Sequence, residues 1–320
     1  MTTKFAIQIE NQFGYNWNQT KKIIEETEKY GYHSFYICDH FLLDKKSEER
    51  HSLESWSVLT AGAMITNRIK LGTLVSGNNY RNPALLAKIA ATLDMISNGR
   101  MEFGIGAGWK EIEYEMYGYD FPSVKDRFDM LEETIHIVKA LWSEPRATYQ
   151  GKHFRVKDAV FSPKPNKPLF LIGGGGEKRT LKLVAEHADY TNLFGFTFPL
   201  KVFQKKLNAL KGHCEAIGRD YDSVGKSLFT STWVSESQDE VDAKIKSTAE
   251  STGKTEEEMR KLLYPTDMPG GWIGTPEQLR DRIEFMNGLG FDYYHFQLPI
   301  DLSTDLIENF ATLVRNKYFK

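Results

Sequence analysis

Short apolar runs alternate with helical periods along the whole 320-residue chain. The runs Lys4 to Ile9, Ser34 to Cys38, Ile69 to Ser76, Met101 to Ile105, Leu169 to Gly173, Tyr190 to Phe194, Lys226 to Val234 and Tyr293 to Leu298 read as strands. Helix signals lie between them. Asn82-Pro83 pairs an N-cap with proline at the first helical position, and Leu86, Ile89, Leu93 and Ile96 follow along one face. Thr275-Pro276-Glu277-Gln278 adds a capping box to the same device. Asp126 to Trp142 carries Leu131, Ile135, Val138 and Trp142 at helical spacing. About eight such β/α repeats, with no break in composition, predict a closed (β/α)8 TIM barrel over residues 1–320 as one domain. A doubly wound open sheet is the alternative architecture.

Two stretches interrupt the repeat. Ala147 to Pro168 holds short alternating runs around Gln150-Gly151-Lys152 and reads as a hairpin insertion before the fifth strand. Residues 236–271 are polar and charged, ending in Pro269-Gly270-Gly271. They read either as charged helices on a solvated face or as an excursion lining the barrel mouth, where lids are built.

Composition narrows the partners. The chain is 41% hydrophobic and 26% charged with a formal net charge of -2, which gives no global attraction to nucleic acid or an anionic membrane. Cys38 and Cys214 are too few for a disulfide framework, and nothing beside either resembles a metal site. No apolar stretch approaches the roughly 20 residues that span a bilayer. The first residues run straight into a strand pattern, so a cytoplasmic location is expected.

In such a barrel the chemistry belongs at the C-terminal strand ends. The fifth strand turns through Gly173-Gly174-Gly175-Gly176 into a helix whose stripe is Leu181, Val184, Ala185 and Ala188. A strand that passes through glycines into a helix N-terminus presents unpaired N–H groups and the positive end of a dipole. Lys178 and Arg179 add full charges, so Gly174, Gly175 and Gly176 form a candidate phosphate seat; a turn that only reverses the chain is the other reading. The second strand ends in Asp39-His40, the evident acid/base candidate because imidazole titrates near neutrality. The pair can share a site only if the strand has ended there, since adjacent strand residues face opposite ways. Otherwise His40 satisfies a turn carbonyl and Asp39 caps the next segment. The third strand ends in Ser76-Gly77-Asn78-Asn79-Tyr80-Arg81. The fourth ends in Gly106-Ala107-Gly108-Trp109, a weak fragment of a dinucleotide fingerprint and a better fit to a backbone that lets a flat ring approach. Trp109 either walls that pocket or belongs to the core.

These segments together resemble the luciferase-like monooxygenase superfamily, and within it the branch using the deazaflavin coenzyme F420. The residues that carry the resemblance are Cys38-Asp39-His40-Phe41, Leu71 to Gly77 with Tyr80-Arg81-Asn82-Pro83, Gly104 to Trp109, and Ile172 to Gly176 with Ala185-Glu186-His187-Ala188-Asp189. The resemblance covers nearly the whole chain and implies a TIM barrel. It implies that a strand-three bulge with a non-prolyl cis peptide, at or within one residue of Ser76-Gly77, backs the cofactor ring. It also implies that the glycines hold the cofactor phosphate, that Asp39 and His40 contact the deazaflavin or exchange a proton with substrate, and that the protein is a homodimer. Sugar-phosphate dehydrogenases of the family carry a glutamate where this chain has Trp109, leaving Glu111 and Glu113 as distant substitutes.

The expected activity is hydride transfer between F420 and a small organic substrate, with His40 as acid/base oriented by Asp39. Ser76, Gly77, Gly106, Gly108, Trp109, the glycine turn, Lys178 and Arg179 are expected around the cofactor. An FMN-dependent monooxygenase using dioxygen and a partner reductase is one rival. A non-catalytic flavin- or deazaflavin-binding protein is another.

Overall fold

In the computed structural model, which describes residues 2–195, 199–263 and 272–319, the strands close into a parallel barrel. Its strands are β1 (Lys4–Ile9), β2 (Ser34–Ile37), β3 (Lys70–Thr73, resumed at Ser76–Gly77), β4 (Met101–Gly106), β5 (Leu169–Gly173), β6 (Tyr190–Phe194), β7 (Gly225–Thr230) and β8 (Phe291–Gln297). The sheet runs β3-β2-β1-β8-β7-β6-β5-β4, and β3 pairs again with β4 through Leu71↔Met101 and Gly72↔Glu102. That last pairing closes the ring and excludes the open doubly wound sheet.

Period-two alternation decides which face of each strand does what. In β1, Phe5, Ile7 and Ile9 join the apolar layer between barrel and helices, while Ala6 packs inside with Tyr36 and Tyr293. The helices contribute Leu86, Ala90 and Leu93 from Pro83–Ile96, and Leu131, Ile135 and Val138 from Val124–Ser143. Asn82 caps Ala84 at 2.9 Å, and Thr275 and Gln278 form the reciprocal capping box. Ile96, expected on the buried face, is instead 38% exposed, because Ala87, Ala90 and Ala91 let the helix pack through a flatter stripe.

Two boundaries differ from the sequence pattern. The third strand is not continuous: a cis peptide at Leu74–Val75 separates its two pieces. That bond lies one residue before the stretch predicted for it. The run from Lys226 to Val234 is also two strands, since Thr232–Val234 leaves the barrel to pair in parallel with Trp272–Gly274. Trp272 donates its N–H to the Ser231 carbonyl at 3.1 Å at this fork. The hairpin is present as Arg146–Gln150 against Arg155–Val160. Of the 236–271 excursion, helices Gln238–Thr252 and Glu256–Leu263 are described, with Val241, Ile245, Ala249, Met259 and Ile273 forming their own small core. Its end at 264–271 lies outside the described residues. No helix among the described residues is long and apolar enough to cross a membrane.

Candidate functional site

The C-terminal strand ends surround a cavity of about 580 Å³, and the sequence-predicted residues largely converge on it. Asp39, His40, Ser76, Gly77, Gly106, Gly108, Trp109, Gly174, Gly175 and Gly176 all line it. Strand β2 ends at Ile37, so the condition for Asp39 and His40 to share a site is met. Glu10, Tyr80, Asn192, Phe194, Phe229 and Gln297 complete much of the wall.

Glycines clear the floor for a single side chain. A Cβ on Gly106 would come within 2.8 Å of Val75, and one on Gly173 within 2.9 Å. Real side chains do not approach so closely, so bare backbone on β4 and β5 lets Val75 project into the floor. This is a more specific reason for Gly106 than the approach of a flat ring. At Gly77 a Cβ would press the Tyr80 ring at 2.8 Å. Ser76 lines the cavity with a hydroxyl already engaged, accepting from Trp56 Nε1 at 3.0 Å and donating to Thr73 Oγ1 at 3.1 Å.

Asp39 and His40 do not hold each other. Asp39 takes a bidentate pair from Arg81, at 2.6 and 3.0 Å, and accepts the Gly77 amide at 3.2 Å. It therefore ties β2 to the second piece of β3. Arg81 also reaches Glu54 at 2.6 Å, and the two carboxylates hold its guanidinium firmly protonated against the cost of burial. The imidazole is oriented by Glu113 instead: His40 Nδ1 lies 2.9 Å from Glu113 Oε2. Glu113 is fully buried and also accepts from Tyr80 at 2.6 Å and from the Phe41 and Leu42 amides at 2.9 and 3.2 Å. Lys110 stands 3.5 Å away. Burial alone would raise its pKa; the bonds from His40 and Tyr80 and the Lys110 charge hold it below the usual carboxylate range. A carboxylate is an acceptor only, so Nδ1 carries the proton and Nε2 is the nitrogen left to the cavity. The family resemblance leaves Glu113 only as a distant substitute for a catalytic glutamate, whereas the structure sets it against His40. Its signal was a glutamate in the first turn of the helix Glu111–Tyr117, directly after the β4 glycines.

At the other wall, Gly174 has a left-handed φ of 113° and donates to Asn192 O at 3.1 Å. The Gly175 and Gly176 amides donate to no backbone carbonyl among the described residues. The helix Thr180–His187 starts beyond them without a side-chain cap. Its N-terminal dipole and these amides suit an anion. The charges differ from expectation. Arg179 is turned to Asp129 at 2.7 Å and Glu132 at 3.4 Å, and neither it nor the exposed Lys178 lines the cavity. Lys206, from the helix Leu200–Ala216, is the ammonium at the turn, 2.5 Å from Gly175 O. Trp109 is 70% exposed at the rim, with its ring edge-to-face against His40 at 5.5 Å.

A glycine turn suited to an anion and a carboxylate-held histidine thus face one mouth of a (β/α)8 barrel. A profile of the luciferase-like monooxygenase family matches residues 2–293, and the chain belongs to that family. Its members are oxidoreductases or monooxygenases. A pyrimidine monooxygenase RutA from Cronobacter sakazakii is 32% identical over 178 residues, covering 54% of this chain and 52% of that protein. The match thus spans about half the length of that relative. An F420-dependent glucose-6-phosphate dehydrogenase from Segniliparus rotundus is 25% identical, covering 87% of this chain and 88% of its own. Among solved structures, an F420-dependent secondary alcohol dehydrogenase superposes with a TM-score of 0.79 at 20% identity, covering 99% of this chain and 98% of its own. The long-chain alkane monooxygenase LadA does so with a TM-score of 0.81 at 14% identity, covering 99% and 91%.

Proposed function

We propose that this protein is an oxidoreductase moving a hydride between coenzyme F420 and a small organic substrate. The observation that carries the reading is one cavity with an anion-ready glycine turn on one wall and His40, fixed by Glu113, on another. A relative that matches along most of both chains is named as F420-dependent, which supports the deazaflavin over FMN. Fit is supported by the turn itself: a Cβ on Gly176 would meet Thr180 Oγ1 at 2.8 Å, and Gly174 needs its left-handed φ. The amides of Gly175 and Gly176 and the Lys206 ammonium would hold the phosphate, and the floor around Val75 would back the ring. When bound, the deazaflavin supplies or accepts the hydride.

The chain's own part is to hold the partners and manage one proton. His40 Nε2 accepts the hydroxyl proton when an alcohol is oxidised; in reverse, the imidazolium donates it to the carbonyl oxygen as the hydride arrives at carbon. Glu113 stabilises the imidazolium that either direction requires. Titration of purified protein with F420 and with FMN, followed by fluorescence quenching, tests the reading. Tight F420 binding with weak FMN binding is expected; the reverse preference would establish the FMN-dependent monooxygenase instead.

A further inference from the structure

We infer that the substrate side of this cavity takes an uncharged, ring-bearing apolar carbonyl compound or alcohol, and rejects phosphorylated or carboxylated ones. The inference rests on the oxidoreductase reading and names the substrate class for that same site. Its first support is charge. The described lining contains Glu10, Asp39 and His40 and neither lysine nor arginine. The neighbouring cations are engaged elsewhere: Arg81 on Asp39 and Glu54, Arg179 on Asp129, and Lys206 at Gly175. Glu10 keeps both oxygens on the Gln8 and Gln12 amides, at 2.9 and 2.6 Å. An anionic substrate would leave water for a cavity with a carboxylate in its wall and no lysine or arginine in its described lining to meet it. The glycine turn offers no escape, because the cofactor phosphate occupies it in this reading.

The second support is the wall itself. Trp109 and Phe194 line the cavity while remaining 70% and 45% exposed, and Phe128, Phe229, Leu74 and Val75 line it too. A large ring as exposed as Trp109 at the rim of a cavity marks a surface that a ligand covers. Trp109 stands against His40, so a ring lying on the indole brings its carbonyl beside the imidazole.

The test is calorimetric binding to the full chain, with and without bound F420, using naphthaldehyde, carboxynaphthaldehyde and hydroxynaphthaldehyde phosphate as probes. Naphthaldehyde is expected to bind at least about tenfold more tightly than either anion, and Trp109→Ala to reduce that preference to under about threefold. Phe194→Arg, checked for an unchanged melting temperature, should bring carboxynaphthaldehyde to parity with the neutral probe. Tighter binding of either anion to the unaltered protein overturns the inference, as does Phe194→Arg leaving the discrimination intact. If F420 fails to bind while the probes discriminate as stated, the cofactor reading falls and the substrate class stands. If F420 binds and the anions are preferred, the substrate class falls alone.

Discussion

Glu113 and Glu102 are both buried carboxylates that gather tyrosine hydroxyls and a histidine, at opposite ends of the barrel. Glu113, at the mouth, takes Tyr80 at 2.6 Å and His40 at 2.9 Å. Glu102, in the N-terminal half of the lumen, takes Tyr36 at 2.6 Å, Tyr293 at 2.8 Å and His33 at 3.4 Å. Each is held below the ordinary carboxylate range against the opposing effect of burial. The residue types are nearly the same, and what differs is the surroundings. His40 borders a cavity walled by bare glycine backbone, whereas Tyr36 and Tyr293 are sealed at 0% exposure. A carboxylate–tyrosine–histidine cluster therefore signals chemistry only where one member meets space for a reactant. The lower cluster orders the polar interior of the barrel.

The largest contrast should come from the histidine at the mouth. His40→Ala is expected to slow turnover about a hundredfold or more, the usual size of a lost general acid or base, while F420 affinity changes far less. His33→Ala at the opposite end of the barrel should leave turnover within about twofold, since that residue lines no part of the cavity. Cofactor binding lost at His40 with normal turnover at saturation would make it a binding residue. A smaller but sharper separation comes from the carboxylates. Glu113→Gln should cut kcat about tenfold and shift the pH profile, because the amide no longer stabilises the imidazolium; Glu113→Asp should recover part of it. Glu102→Gln should instead cost about 1–3 kcal/mol of stability, measured by denaturant unfolding, with the kinetic pH profile unmoved. Equal effects of the two on kcat would erase the distinction between mouth and floor.

Glycines permit the same comparison at lower amplitude. At Gly175→Val the new side chain meets the flexible end of Lys206, 3.0 Å from the Cβ position, so the fold should survive. It fills the turn, and cofactor affinity should fall about tenfold; unchanged affinity in folded protein would make the turn merely structural. At Gly72→Ala the Cβ meets the Glu102 carbonyl and the Tyr36 ring, both at 2.7 Å. There the loss should be stability, about 1–3 kcal/mol, without altered affinity.

How far the sequence revealed these two regions follows from the range of the interactions. Strand–helix alternation is local, so β1, β5 and β6 lie where their apolar runs do. The convergence of strand-end residues was also legible, because a parallel barrel puts all such ends on one side. Partnerships were not. His40 and Glu113 are 73 positions apart, and Asp39 and Arg81 are 42 apart. Adjacency in sequence suggested the wrong partner for His40, because the chain turns after Ile37 and sends the two side chains to different neighbours. The break in β3 was hidden for a related reason: Leu74 and Val75 continue an apolar run without interruption. The polar lumen was half visible. Gln8, Tyr36, Asn192 and His295 occupy alternate positions in runs otherwise read as apolar, and only closure of the barrel faces them inward.

The floor has one titration that the mouth does not share, and it gives the smallest expected effect. His295 is fully buried, its Nδ1 faces the Asn192 amide at 3.5 Å, and its Nε2 has no partner among the described residues. Burial pushes its pKa down to about 3, only partly opposed by the Glu102 charge. An unfolded histidine binds its proton near pH 6.5, so between that pH and about 3 the unfolded chain holds more protons than the folded one. Stability should therefore fall as pH falls through this window, by up to about 1.4 kcal/mol per pH unit for this group. Above pH 6.5 both states are neutral and the dependence vanishes. His187, on the outer layer and lowered to about 4 chiefly by burial, adds a shallower slope of the same sign. The two lowered carboxylates add their own loss only at more acidic pH, once the unfolded glutamates begin to bind protons near pH 4.3. Chemical denaturation at pH 7 and pH 5 isolates the histidines. His295→Gln keeps an amide beside Asn192 and should flatten the slope between those two values, leaving the residue from His187. An unchanged slope would mean that His295 is already charged in the folded barrel, and that the floor is wetter than its burial indicates.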